Sequence, residues 1–495
     1  MTDHTGSASD APVVRTTAGL VRGIRRAGSA AFLGIPFAQP PVGDLRFAGP
    51  APMEPWEGVR DATAYGATAQ RGDTGFTLIP EPSVPGDSTL NVNVFTPEAD
   101  PSARRPVLVW IHGGGFVSGT PSSPWYDGST FARDGIVLVA LSYRLGFDGF
   151  GDIEGAPSNR GVRDWIAGLE WVRENIAAFG GDPDRVTIGG QSAGGGAVLT
   201  LLGMPAAQHL FRAAWSVSGA LGDVPRADAR ARSERLAALA GVRADRPGLA
   251  SVAEQTLHDL QERAAYAPAR DRLVTVREML AGIAWAPMID RELLTRPTVE
   301  ALGAGVGADK PLLIGAADDE FTMVAARIRR TLRFVPAGLA LRAVGVAASV
   351  RRDYLRTNTG PRRAGTPALL GRYVTDRVFR ALVARVATAR AGAPAPTWVY
   401  RFGWRSPVIG WACHCLDVPF WFDGLDAAGV PEIAGDSPPR DLAVAMHRTA
   451  VGLVRDGVVS WERWSEHERP TRVFDSPAPD PAVVPDGYAS VAALV

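Results

Sequence analysis

The stretch Arg185-Val186-Thr187-Ile188-Gly189-Gly190-Gln191-Ser192-Ala193-Gly194-Gly195-Gly196 decides how this chain of 495 residues is read. Residues 185–189 form a short β-prone run, and from Gly190 onward the side chains are small enough for a helix to begin at close range. Gly190 to Gly194 is the only G-x-S-x-G in the chain. Where such a pentapeptide joins a strand to a helix, the turn is so tight that the neighbours of the serine must be small. Strain then lifts the hydroxyl clear of the sheet. In a glycine-rich chain the pentapeptide alone is weak, because a purely structural turn looks the same. The strand before it and the small-residue helix after it favour an exposed nucleophile.

Working outward, residues 160–179 place Val162, Trp165, Ile166, Leu169, Val172 and Ile176 at spacings of three and four. That is an amphipathic helix, and Gly180-Gly181 stops it. Further strands are predicted at Val107 to Ile111, Ile136 to Ser142, Pro311 to Gly315 and Thr397 to Phe402. Strand, helix, strand in this order implies an α/β protein with a large, mostly parallel central sheet and helices on both faces. Residues 226–285 and 322–392 read as helical insertions, and 440–455 as a late helix. Residues 1–12 read as a disordered lead and 13–495 as a single domain.

Composition narrows the function classes. Hydrophobic residues make up 46% and charged residues 21%, which excludes disorder as a description of the whole. Lys+Arg and Asp+Glu both total 52, and without a basic excess no nucleic-acid partner is expected. Cys413 and Cys415 cannot supply a disulfide framework, since their spacing would close a strained ring. The N-terminus lacks a basic region followed by an apolar one, and the apolar runs are strand-length. The expectation is a soluble cytoplasmic protein with no membrane partner; the oligomeric state is not legible.

A serine at its ordinary pKa needs a base, and an oxyanion needs donors. His112-Gly113-Gly114-Gly115-Phe116 follows a strand, and its glycines let backbone N–H groups approach a substrate. A phosphate cradle would require a following G-K-[ST] or a ribose-binding acid; neither is present, so no cofactor is expected. Behind an elbow of this kind the acid and then the histidine follow in chain order, which leaves His414, His447 and His467. His447 falls mid-helix and His467 in a charged tail, where solvent is expected. His414, in Trp411-Ala412-Cys413-His414-Cys415-Leu416, is the candidate. A metal site at Cys-His-Cys is not expected, because three neighbouring residues rarely point at one ion. The acid should follow a strand, and Asp318-Asp319-Glu320 does. The residues alone do not choose among the three, and a solvated acidic turn is the bland alternative.

Together these segments resemble the type-B carboxylesterase family, which includes bacterial para-nitrobenzyl esterases and the cholinesterases. The likeness extends from about Val13 to the tail. It rests on Gly34-Ile35-Pro36-Phe37-Ala38, Pro40 to Phe47, Trp110 to Gly119, Ser142-Tyr143-Arg144-Leu145-Gly146 and Asn159 to Gly195. The resemblance implies an α/β-hydrolase fold with helical insertions over the active site, and hydrolysis of carboxylic esters without a cofactor. It implies Ser192 as nucleophile, Glu320 as the acid, His414 as the base, and Gly114, Gly115 and Ala193 as oxyanion donors. It also implies Ser218 near the acid and an internal Arg144–Asp164 salt bridge. By family position, Phe76, Leu221, Val224 and Val324 would form pocket walls.

Several residues depart from the family pattern. Gln191 replaces a glutamate beside the nucleophile, so the floor is uncharged and a small, neutral ester substrate is expected. Phe321 replaces a glycine after the acid. Gly86-Asp87-Ser88 replaces Glu-Asp-Cys, removing an early disulfide and the usual carboxylate partner of Arg46. Loss of that disulfide fits a reducing compartment. The rival readings are a hydrolase of carbamates or amides with the same triad, and a non-catalytic interaction module on the same fold.

Overall fold

A strand covered on both faces carries an unbroken apolar run, with alternate side chains entering opposite cores. Residues 105–111 behave this way. Val107, Val109 and Ile111 enter one core with Val162, Trp165 and Leu169. Leu108 and Trp110 enter the other with Trp215, Trp421 and Phe422. The computed structural model describes residues 11–70, 78–266, 282–323, 332–476 and 482–495, so most of the lead 1–12 lies outside it.

Both cores are divided by an eleven-stranded sheet. Its strands in chain order are β1 (Ile24–Arg26), β2 (Ser29–Pro36), β3 (Asn91–Thr96), β4 (Arg105–Ile111), β5 (Val137–Leu141) and β6 (Gly181–Gln191). They continue with β7 (Ala213–Val217), β8 (Leu312–Ala317), β9 (Thr397–Phe402), β10 (Pro470–Phe474) and β11 (Val483–Pro485). Across the sheet the order is β11-β10-β9-β8-β7-β6-β4-β5-β3-β2-β1. From β10 to β5 every neighbour is parallel. Both margins are antiparallel. The sheet is thus mixed, with the expected parallel character confined to its centre. β6 starts earlier than the sequence suggests, because Gly181 pairs with Arg105 ahead of a bulge.

The helix read at 160–179 is α1 (Arg160–Asn175), finished by a 3-10 turn, Ile176–Phe179, and Gly180 at φ 87°. α2 (Ala193–Leu202) leaves directly from Ser192. The first helical insertion holds α3 (Arg226–Ala240) and α4 (Glu254–Ala265), after which residues 267–281 lie outside the description. The second, apart from residues 324–331, contains α5 (Thr366–Thr375) and α6 (Ala381–Ala389), joined through a π-helical turn, Asp376–Arg380. The late helix is α7 (Arg440–Asp456). No helix among the described residues is long and apolar enough to cross a membrane.

Candidate active site

Four loops at the carboxyl ends of parallel strands converge, the place where open α/β sheets present ligands. They follow β4, β6, β8 and β9. Ser192 sits between β6 and α2 with φ 58° and ψ −122°, a backbone region that L-residues rarely occupy. Its N–H donates to Val217 O at 2.9 Å, which ties the elbow to β7. The glycines are obligatory. A Cβ on Gly194 would lie 2.0 Å from Ile111 O, and one on Gly190 2.5 Å from the Gly194 carbonyl.

His414 reaches Ser192 from the loop after β9. Its Nε2 stands 2.9 Å from Ser192 Oγ, and its Nδ1 stands 2.5 Å from Glu320 Oε2. The main chain repeats the join, since His414 N–H donates to Glu320 O at 2.9 Å. Glu320 is fully buried, and its Oε1 accepts the Ala317 N–H at 2.8 Å. With Nδ1–H donated to Glu320, Nε2 is left as an acceptor facing the serine hydroxyl.

Three carboxylates that look alike in sequence have separate partners. Asp318 pairs with Arg401 at 3.0 Å. Asp319 is buried, accepts from Thr322 and lies 3.6 Å from Arg372. Burial raises the Asp319 carboxyl above its ordinary range. Only Glu320 of the three meets His414 in this structure, so the alternative of a solvated acidic turn does not hold.

Gly114 and Gly115, at φ 103° and 62°, curl the loop after β4 so that their N–H groups find no acceptor among the described residues. Ala193 opens α2, whose first N–H groups have no intrahelical acceptor. Beside Ser192 lies a cavity of about 440 Å³, bordered by Gly114, Gly115, Ser192 and His414. Its apolar walls are Leu78, Ile79, Ile283, Phe321, Met323, Val378 and Phe379. Phe321 stacks on the His414 ring at 4.9 Å, and Phe379 meets the same ring at 4.9 Å. The glycine-to-phenylalanine departure therefore covers the imidazole.

The Ser218 hydroxyl is buried without a hydrogen-bond partner among the described residues, and Glu320 takes its second hydrogen bond from the Ala317 N–H. Some expectations need correction. Val224 is buried in the core, and Leu221 packs against that core, so neither borders the cavity. Phe76 and Val324 lie outside the described residues. Arg46 keeps a carboxylate after all, Asp148 at 3.5 Å. His447 is buried rather than solvated, held by Trp421 O and Asp134 at 2.9 Å each. Arg144 and Asp164 form the expected pair at 2.7 Å.

Gln191 donates its amide N–H toward His414 Nε2 and Cys415 Sγ, each at 3.2 Å. The floor is therefore uncharged, as read. Both cysteines are free and buried, and burial pushes the Cys413 thiol up to about 12. Two acids escaped the sequence reading. Asp417 is fully buried near the triad, accepts from Trp421 Nε1 at 3.2 Å, and is pushed up to about 7 by burial and then by Glu320. Glu81 borders the cavity itself. Its surroundings, Pro80-Glu81-Pro82, look like any solvated loop in sequence.

Comparison with known proteins gives a consistent result. A sequence model of the carboxylesterase family matches residues 10–431. The para-nitrobenzyl esterase of Bacillus subtilis (strain 168) is 34% identical over 486 residues, covering 94% of this chain and 95% of that protein. Phenmedipham hydrolase of Pseudarthrobacter oxydans is 33% identical, with 90% of each chain covered. A crystal structure of a Geobacillus stearothermophilus carboxylesterase aligns with a TM-score of 0.82 at 34% identity, over 98% of this chain and 100% of that one.

Proposed function

The chain belongs to the carboxylesterase family and is a carboxylic ester hydrolase, and on that premise we propose that Ser192, His414 and Glu320 carry the reaction. The observation that supports this most is the continuous hydrogen-bonded line from Ser192 Oγ through the imidazole to Glu320. Ser192 Oγ attacks the ester carbonyl while His414 Nε2 takes its proton. Glu320 holds the Nδ1 tautomer and stabilises the imidazolium that forms. The carbonyl oxygen, now an oxyanion, accepts from the N–H groups of Gly114, Gly115 and Ala193. In enzymes of this type one such donor is worth roughly 10²–10³ in kcat. The tetrahedral intermediate collapses as His414 gives its proton to the leaving alcohol. Water then enters, His414 takes a proton from it, and the acyl-serine is hydrolysed by the same steps in reverse.

The apolar walls favour small neutral esters, and the phenylalanine cover over His414 keeps bulk water from the base. An organophosphate should add to Ser192, detected by peptide mass spectrometry, and abolish turnover of 4-nitrophenyl butyrate. Ser192→Ala should lose both the adduct and the turnover. An adduct elsewhere, or turnover kept by Ser192→Ala, overturns the assignment. Matched carbamates and anilides assayed alongside should be slower, because a nitrogen leaving group needs more protonation than an alcohol.

A further inference from the structure

Glu81 is a carboxyl group on the wall of an otherwise apolar reaction cavity. Its backbone is anchored, since Glu81 O accepts from Gln70 Nε2 at 2.9 Å and the adjoining Ile79 is buried. The side chain is not matched in the same way. Its Oε2 is buried with no hydrogen-bond partner among the described residues. Burial raises its proton affinity, and among the described residues no guanidinium or ammonium group acts on it. An uncompensated buried carboxylate is costly, so an acid on this wall without a protein donor gains from any donor that a bound molecule brings to it.

We infer that Glu81 forms a subsite for a protonated amine, so that the cavity accepts esters carrying an ammonium group as well as neutral ones. This rests on the reading that the cavity beside Ser192 is where substrate binds. The uncharged floor at Gln191 does not contradict it, because Glu81 stands on the wall formed with Leu78 and Ile79. A primary ammonium in the cavity would give the Glu81 carboxylate a donor and a counter-charge. A hydrogen bond to a charged group contributes about 1.5–3 kcal/mol, which is roughly tenfold or more in affinity.

The subsite should respond to pH. Burial pushes Glu81 up to about 7. The groups facing it are Tyr126 on the turn Pro124–Tyr126, Tyr143 after β5, and Cys415 and His414 on the loop after β9. Burial holds the two phenols and the Cys415 thiol well above their ordinary values, so they stay neutral. The imidazole of His414 shares the cavity and acts on the charged probe alone, so Glu81→Gln, which keeps the imidazole, separates its contribution from that of Glu81. As pH falls through the Glu81 value the carboxyl becomes neutral and its preference for a cation fades.

The test is titration calorimetry of the whole enzyme with hexylammonium chloride and with hexan-1-ol, at about pH 8.5 and about pH 5.5. Hexylammonium should bind roughly tenfold or more tighter than hexanol at the higher pH. That ratio should shrink by about tenfold or more at the lower pH, since the ionised fraction drops tenfold per unit below the pKa. In Glu81→Gln the ratio should fall to about one at both pH values. A ratio at about pH 8.5 that is the same in Glu81→Gln as in the unsubstituted enzyme overturns the inference. If Glu81→Gln does not fold, Glu81→Ala takes its place at the same two pH values. Calorimetry needs no turnover, so a chain inactive on every ester would sink the catalytic reading without masking the result here.

Discussion

Arg144–Asp164 and His414–Glu320 are both buried pairs of a nitrogen base and a carboxylate, yet they serve opposite ends. Asp164 receives Arg144 Nη2 at 2.7 Å, Nε at 2.8 Å and the Arg144 backbone N–H at 3.0 Å. The guanidinium does not release a proton at any ordinary pH, so this pair can only hold the segment after β5 against α1. Glu320 receives one main-chain N–H and one imidazole N–H. The imidazole exchanges its proton readily, and its far nitrogen opens on the cavity. Burial and short distances are common to both pairs. What separates a clamp from a relay is whether the base can change its charge and whether its other side reaches substrate.

The sharpest way to break the comparison is to make each carboxylate an amide. Glu320→Gln should lower kcat by up to about 10⁴-fold with little change in KM, because an amide can hold the wrong tautomer. If Asp319→Asn inactivates and Glu320→Gln does not, the relay has been assigned to the wrong acid. Asp164→Asn should cost about 3–5 kcal/mol of stability, read by denaturant titration, because it strands a buried guanidinium. Turnover per folded molecule should stay within about threefold, since Asp164 touches no reacting atom.

A third buried carboxyl, Asp417, sharpens the contrast because it forms no salt bridge among the described residues. Burial raises Asp417 to about 7 in the folded state, above its unfolded value. Between those two values the unfolded chain has released the proton that the folded chain keeps. Stability should therefore fall as pH rises through that interval and level off above about 7. Asp417→Asn keeps an acceptor for Trp421 and should remove most of that slope, measured by melting across pH. A slope unchanged in Asp417→Asn would mean the proton is held elsewhere.

Phe321→Gly removes one aromatic face from His414 and restores the residue common in the family. It should lower kcat by up to about tenfold, the scale of an aromatic contact of about 0.5–1.5 kcal/mol. The smallest effect is expected at Asp318. Asp318→Asn loses a partly exposed pair with Arg401 and should leave kcat within about twofold, with a stability change near 1 kcal/mol.

The central strands were legible because burial on both faces writes itself as an unbroken apolar run, as in Val107 to Ile111. Ser192 was legible because the elbow demands small neighbours, and His414 because chain order left few histidines. Glu320 was not separable from Asp318 and Asp319 by residue type; arginines far along the chain, Arg401 and Arg372, take the other two. His447 was misread for a similar reason, since its partner Asp134 is 313 residues away. Glu81 was missed because a proline-flanked acid gives no sign that its loop turns inward.

The π-helical turn Asp376–Arg380 carries a consequence of its own. It supplies Val378 and Phe379 to the cavity, while Asp376 and Arg380 lock it from behind at 2.7 Å. A wide turn of this kind holds one residue more than the regular spiral needs. Removing a single residue there would let the turn close to the ordinary pitch while α6 beyond it kept its place. The side chains of the turn itself, Phe379 among them, would be re-aimed without any being exchanged. The bore of the pocket is in this respect a matter of counting residues, which gives insertion and deletion a grip on substrate size that substitution lacks.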